Sequence, residues 1–150
     1  MKKIIIAADH GGFCLKEELR LYLEKKGYYV RDIGTYSEER CDYTDFAYRL
    51  AKEISLGKFK QGILICKSGI GNSIVANKLP GVYAALCYNL KTARLSRQHN
   101  NSNVLVLGAA FVKTALAKRM VSTWLNTAFL GGRHLRRFNK IKKIEKELRG

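Results

Sequence analysis

The sequence predicts an α/β fold of one domain, with helices on both faces of a five-stranded parallel sheet. Three observations point to it. Short apolar runs alternate with amphipathic stretches along the whole chain. Several runs are apolar at nearly every position rather than at every second one, as strands covered on both faces require. The 150 residues are 47% hydrophobic with a single Pro, which suits one core and leaves no linker, internal repeat or low-complexity tract.

The elements follow in order. Lys3 to Ala8 is a strand rich in Ile, broken by Asp9-His10-Gly11-Gly12. Leu15, Leu19, Tyr22 and Leu23 recur at helical spacing, and Gly27 suits the residue just past a helix end. Tyr28 to Ile33 is the second strand, Thr35 to Asp42 a polar loop, and Phe46, Ala47, Leu50, Ala51 and Ile54 mark a second helix ending near Gly57. Gly62 to Ile65 is a third strand with Cys66 at its end. A Gly-rich turn leads into a helix from about Asn72 to Lys78. After the Pro80-Gly81 turn come a strand from Val82 to Cys87, a helix from Leu90 to Arg97, a strand from Asn103 to Leu107 and a helix from about Val112 to Asn126. Gly131-Gly132 then breaks the chain before a basic helix over about 134–150. The expectation is a three-layer α/β/α sandwich, Rossmann-like in its alternation, comprising residues 1–150. In such sheets ligands bind beyond the carboxyl ends of the strands, where Asp9-His10, Cys66 to Gly71, Asn89 and Gly108 fall.

No apolar run approaches the roughly 20 residues of a membrane-spanning helix. The apolar stretch behind Met1-Lys2-Lys3 stops after five residues at Asp9, short of a signal-peptide core, so it reads as a buried strand and the protein as cytoplasmic. Cys14, Cys41, Cys66 and Cys87 form no CxxC pair, which argues for free thiols and against structural zinc. The formal net charge is +16 and is unevenly distributed. Residues 1–60 hold twelve Lys/Arg against ten Asp/Glu, whereas Gln61 to Ile144 holds fourteen Lys/Arg and no carboxylate. Such a surface is either a solvated basic face or one that draws anions: phosphorylated metabolites, nucleic acid or acidic surfaces. Any catalytic base in the second half must then be Cys or His.

Cys66-Lys67-Ser68-Gly69-Ile70-Gly71-Asn72-Ser73 carries the strongest chemical signal. Strand, Gly-rich turn and helix in succession make a nest of backbone N–H groups suited to a phosphate or a developing oxyanion. The spacing is neither a Walker A loop nor GxGxxG. A thiol at the mouth of such a nest has a depressed pKa and serves as base or nucleophile; the alternative is a structural Cys beside a tight turn. Asp9-His10 offers proton transfer to a polar ligand, or else an N-cap with an exposed His. His99-Asn100 is a weaker candidate alone. Arg133 and Arg137 stand four apart on one helix face, which suits a phosphate dianion or a solvated basic tail.

Taken together, these segments resemble the family of ribose-5-phosphate isomerase B, which also contains galactose-6-phosphate and allose-6-phosphate isomerases. The resemblance rests on Ala8-Asp9-His10-Gly11-Gly12, Asp42-Tyr43, Cys66 to Gly71, Ala76-Asn77-Lys78, His99-Asn100 with Asn103-Val104-Leu105, and Gly131-Gly132-Arg133-His134 with Arg136-Arg137. It covers nearly the whole chain. It implies an aldose–ketose isomerase of the pentose phosphate pathway, acting on ribose 5-phosphate through a cis-enediolate. Cys66 would move the proton from C2 to C1, and Ser68 would carry one between O1 and O2. N–H groups around Lys67, Gly69, Ile70 and Gly71 would hold the enediolate oxygen. His99, aided by Asp9, would open the sugar ring, Tyr43 and Asn100 would touch the sugar, and His10, Arg133 and Arg137 would bind the phosphate. It implies no metal or organic cofactor, and a homodimer or tetramer whose sites are shared between subunits. One departure matters: the family's loop usually reads Cys-Gly-Thr-Gly, whereas this one reads Cys66-Lys67-Ser68-Gly69. Ser68 keeps the hydroxyl. Lys67 serves only if its backbone angles suit a residue with a Cβ, and its ammonium either faces solvent or lowers the Cys66 pKa.

Three rivals remain on sequence grounds, one of them an inactive regulatory paralogue, which Lys67 in the loop would mark. An allose-6-phosphate or other six-carbon isomerase uses the same chemistry in a deeper pocket. A nucleic-acid-binding protein fits the charge, but no known nucleic-acid motif is present and the aromatics do not interleave with the basic residues.

Overall fold

The computed structural model describes residues 2–149. Five strands, β1 (Lys3–Ala8), β2 (Tyr29–Asp32), β3 (Gly62–Cys66), β4 (Ala84–Leu86) and β5 (Val104–Gly108), form one parallel sheet in the order β2-β1-β3-β5-β4. Six helices accompany them: α1 (Phe13–Lys25), α2 (Tyr43–Ser55), α3 (Ile70–Ala76), α4 (Leu90–Gln98), α5 (Thr114–Leu125) and α6 (Arg133–Leu148). The three-layer α/β/α expectation holds. Alternate residues of the central strands serve two cores, as strand geometry requires. Ile4, Ile6, Ile63, Ile65, Leu105 and Leu107 pack with Leu15, Leu19 and Leu23 of α1, Ala93 of α4 and Met120, Val121 and Trp124 of α5. Ile5, Ala7, Leu64, Val104 and Val106 face Ala47, Leu50, Ala51 and Ile54 of α2 and Ala76 of α3. Among the described residues no helix is long and apolar enough to cross a membrane.

Several boundaries shift by one or two residues from the sequence expectation, and those of β4 and α3 have a local reason. β4 is shorter than Val82–Cys87 because Asn103 Oδ1 accepts the Tyr83 N–H at 2.8 Å and Asn77 Oδ1 accepts the Ala84 N–H at 2.8 Å. These residues satisfy their backbone outside the ladder. α3 begins at Ile70 rather than Asn72 because Gly69 adopts φ +86°, turning the chain into the helix at once. α6 packs through Phe138, whose ring meets Tyr83 edge-on at 4.8 Å, and Glu145 accepts the Tyr83 hydroxyl at 2.8 Å.

The most unexpected core residue is Lys16, fully buried in α1. Its ammonium donates to Asp32 at the end of β2 and to Glu17 at 2.7 Å. Asp32 Oδ1 also accepts the Gly34 N–H at 2.9 Å, and Gly34 and Thr35 bond to the backbone of Ala8. The pair thus pins the start of the loop that leads to Cys41 and Tyr43. Arg20 holds the Glu17 carboxyl down at about 2, with Lys16 adding to the effect against a smaller opposing cost of burial.

Candidate active site

β3 carries Cys66 to the carboxyl edge of the sheet, where its side chain is 5% exposed. The next residues turn back over it. The Gly69 N–H donates to Cys66 Sγ at 3.1 Å, and the Ile70 N–H donates to Ser68 Oγ at 3.2 Å. Because Ser68 Oγ accepts from its own turn, its proton remains to be given to another group. The Tyr88 hydroxyl donates to the Ser68 carbonyl at 2.9 Å and fixes the turn from above. A side chain at Gly69 would be strained by the positive φ and would place a Cβ 2.5 Å from Leu86 Cδ1. A Cβ at Gly71 would lie 2.5 Å from the Tyr43 ring, so the bare backbone lets Tyr43, which opens α2, lie against the first turn of α3.

The same edge holds Asp9 and His10, which follow β1. Asp9 is 7% exposed, and its Oδ1 accepts the Gly12 N–H at 3.1 Å. His10 Nδ1 accepts the Cys41 N–H at 3.2 Å. That bond fixes the neutral tautomer with its proton on Nε2, which is left as a donor for a ligand. Lys67 is exposed beside Gly11, and its φ is negative, so its Cβ is accommodated. The side chain stands on the exposed side of the turn.

The expected depression of that thiol is not found. Burial pushes Cys66 up, the N–H groups of Gly69, Asn72 and Ser68 pull it down, and the Asp9 charge adds a push upward. Burial wins because the thiol lies beneath the turn rather than at its mouth, and α3 has only seven residues to lend a dipole. Of the other expected edge residues, Asn89 caps α4 through the Thr92 N–H at 2.8 Å, and Gly108 packs bare backbone against the Ser68 carbonyl.

The structure sets His99, Asn100, Arg133 and Arg137 apart from this group. α4 runs back from the end of β4, and the chain then turns into β5, so His99 and Asn100 lie at the amino edge of the sheet. Asn103 confirms the level: its carbonyl accepts the N–H of Gly62, the first residue of β3. There His99 stacks on His134 with ring centroids 4.1 Å apart and planes 8° from parallel. His134 is 8% exposed and sits between the exposed Arg133 and Arg137 on the first turns of α6. Burial, then His99, Arg133 and Arg137, push its imidazole below the usual range. This cluster is basic and bears no carboxylate of its own.

The sequence singled out neither Asn72, buried in the first turn of α3, nor Tyr88, nor His134 as functional side chains. Only the helical phase shared by Asn72 and Ala76 hinted at the burial of Asn72. Among the described residues no group of three or more His, Cys, Asp or Glu is placed to hold a metal ion, and no two of the four thiols are bonded.

Residues 4–141 match the family model described as ribose/galactose isomerase. Ribose-5-phosphate isomerase B of Escherichia coli is 46% identical over 145 residues, 97% of either chain. The structure of ribose-5-phosphate isomerase B from Clostridium thermocellum superposes with a TM-score of 0.95 at 48% identity, covering 97% of this chain and 99% of that one. That of the Mycoplasma genitalium enzyme, solved with bound ribulose-5-phosphate, gives 0.93 at 43% identity and covers 97% of each chain. With a match this long, carried on the same fold, the chain belongs to the ribose/galactose isomerase family.

Proposed function

We propose that this chain interconverts ribose 5-phosphate and ribulose 5-phosphate in the cytoplasm, at a site made from the carboxyl-edge cluster of one copy and the amino-edge cluster of another. The observation that carries the reading is the grouping of a buried thiol, a hydroxyl with a proton to give, and Asp9, His10 and Tyr43 on one sheet edge. The names of the Escherichia coli and Mycoplasma genitalium relatives support the choice of sugar.

In this reading the partner's His99, with Asp9, opens the furanose ring. His10 Nε2–H and the partner's Arg133 and Arg137 grip the phosphate, the partner's Asn100 and Tyr43 touch the sugar, and that remote binding holds C2 against Cys66. The Cys66 thiolate takes the proton from C2, leaving a cis-enediolate. N–H groups of the turn from Lys67 to Gly71 stabilise its oxygen. Ser68 moves a proton from O2 to O1, and Cys66 returns its proton to C1, so no atom is gained or lost. A homodimer is favoured because one chain cannot bring its two clusters together. The exposed Ile70 and Ile74 of α3 and Ile141, Ile144 and Leu148 of α6 supply apolar surface for such pairing.

The test is conversion of ribose 5-phosphate by wild type and Cys66→Ala, with allose 6-phosphate in parallel and no added metal. The wild type converts the pentose faster than the hexose, and Cys66→Ala loses about 10²–10⁴-fold in kcat. Retained activity in Cys66→Ala would overturn the role of the thiol, and faster turnover of the hexose would overturn the choice of substrate.

A further inference from the structure

A trans peptide aims its N–H opposite to its carbonyl, so whatever holds the carbonyls of the Cys66 turn outward decides where its N–H groups point. The Cys66 carbonyl accepts the Ala109 N–H at 2.8 Å, and the Lys67 carbonyl accepts the Ala110 N–H at 3.0 Å. The chain leaving β5 thus fixes the first two peptides of the turn by backbone alone. The third peptide, between Ser68 and Gly69, is the one whose N–H donates to Cys66 Sγ, at 3.1 Å. Among the described residues its carbonyl has one hydrogen-bond donor, the Tyr88 hydroxyl at 2.9 Å. Gly69 itself does not hold this peptide. Glycine adopts negative φ as readily as the +86° found here, so a half-turn that swings the N–H off the sulfur meets no Cβ at that residue. Tyr88 stands exposed just past β4, its ring tilted against Phe111 with centroids 5.3 Å apart. Gly108 leaves space for the carbonyl, since a Cβ there would lie 2.4 Å from the Ser68 oxygen.

We propose that Tyr88 is a positioning residue for the Cys66 turn: its hydroxyl pins the Ser68 carbonyl outward and so aims the Gly69 N–H at the Cys66 sulfur. A thiolate is a far better acceptor than a thiol, so the aimed N–H favours the ionised state against the burial and the Asp9 charge that oppose it. The groups facing the sulfur from other elements supply no substitute for this hold. Asp9, after β1, pushes the thiol up, His10 accepts the Cys41 N–H, and Tyr43 of α2 lies against Gly71. Lys67 stands on the exposed side of the turn, and β5 meets the turn through Gly108, Ala109 and Ala110, which carry no titratable group.

The importance of this for turnover rests on the reading of Cys66 as the base, but its test does not. Tyr88→Phe removes the hydroxyl, changes no charge and keeps the ring against Phe111; Tyr88→Leu removes both. The rate at which iodoacetamide alkylates Cys66 is followed against pH by mass spectrometry of its peptide, in wild type and both variants, each confirmed folded by circular dichroism. One hydrogen bond lost moves the alkylation midpoint of Tyr88→Phe up by about half a unit to one unit, and Tyr88→Leu moves as far. The urea midpoint of unfolding stays. At neutral pH kcat on ribose 5-phosphate falls about two- to tenfold with KM held, and its acid limb follows the thiol. A midpoint unmoved or lowered in Tyr88→Phe overturns the proposal. So does a shift in Tyr88→Leu alone, which would assign the hold to the ring, or a loss of stability with the thiol unchanged. If the midpoint moves but Cys66→Ala still isomerises sugar, the assignment of Tyr88 to the turn stands and the role of Cys66 as base falls.

Discussion

Chains that are each inactive should restore one another when mixed. β3 runs from Gly62 at the amino edge to Cys66 at the carboxyl edge, and the four steps between them, at about 3.3 Å each, put some 13 Å between those ends. His99 lies beyond the amino edge, so the Cys66 and His99 of one chain face away from each other across the full length of the sheet. A site that uses both must draw them from two chains. On the proposed reading Cys66→Ala lacks the base and His99→Asn the ring-opening group, and either alone is expected to be inactive on ribose 5-phosphate. Unfolded together in equal amounts and refolded, about half of the dimers are mixed, and each mixed dimer holds one intact site and one doubly damaged site. About a quarter of wild-type activity therefore returns. The assay is ribulose 5-phosphate formation after co-refolding, set against the same variants refolded apart and then combined. Activity no greater than that of the separately refolded pair would refute the shared site and force both groups to act within one chain.

Other perturbations test the scaffold. Lys16→Met strands the Asp32 carboxylate. A buried pair broken on one side costs about 3–5 kcal/mol, and the Arg20 guanidinium 3.8 Å away holds the loss near the lower figure. Asp32→Asn added to it, still able to accept the Gly34 N–H, recovers part of that loss in urea unfolding. Gly69→Ala costs about 2 kcal/mol or more and lowers turnover at least about tenfold. Gly57→Ala, also at positive φ but with nothing within 4 Å of its Cβ, loses about 1–2 kcal/mol by strain alone and leaves turnover intact. Because Glu17 titrates at about 2 when folded and higher when unfolded, its contribution is present above the ordinary carboxylate range. It is lost as pH falls toward about 2, and Glu17→Gln flattens the acid side of the stability profile there.

The parts of the fold legible in the sequence are those fixed by local pattern. The Ile run of β1 and the Val/Leu run of β5 are apolar on both faces and fall where expected. The carboxyl-edge group was legible for the same reason, since a strand end followed by glycines marks where ligands meet an α/β sheet. The misses come from contacts distant in sequence. β4 is trimmed by Asn77 and Asn103, whose amides no periodicity reveals. Lys16 sits among leucines like any solvated helix lysine until β2 brings Asp32 beneath it. The position of His99 was within reach: a residue between a helix and the next parallel strand must lie at the amino edge. Its partner His134, 35 positions on, was not, because a stack between helices leaves no local trace. The thiol was misjudged because a Gly-rich turn says where N–H groups point but not how deeply the sulfur lies beneath them.

One arrangement behind His99 has a practical side. The chain holds a single tryptophan, and Trp124 Nε1–H donates to Ser102 Oγ at 2.9 Å, which in turn bonds to Ser96 Oγ at 2.9 Å. Those two serines bracket the segment that carries His99 and Asn100, and the indole is wholly buried. The emission of this one fluorophore is thus wired to the loop that ends α4. Loosening of the loop, its seating against a second chain, or closure around a sugar would each alter the hydrogen bond that sets the indole's colour and quenching. The protein carries its own optical gauge of the His99 segment, at the sheet edge opposite Cys66, and needs no label to be followed.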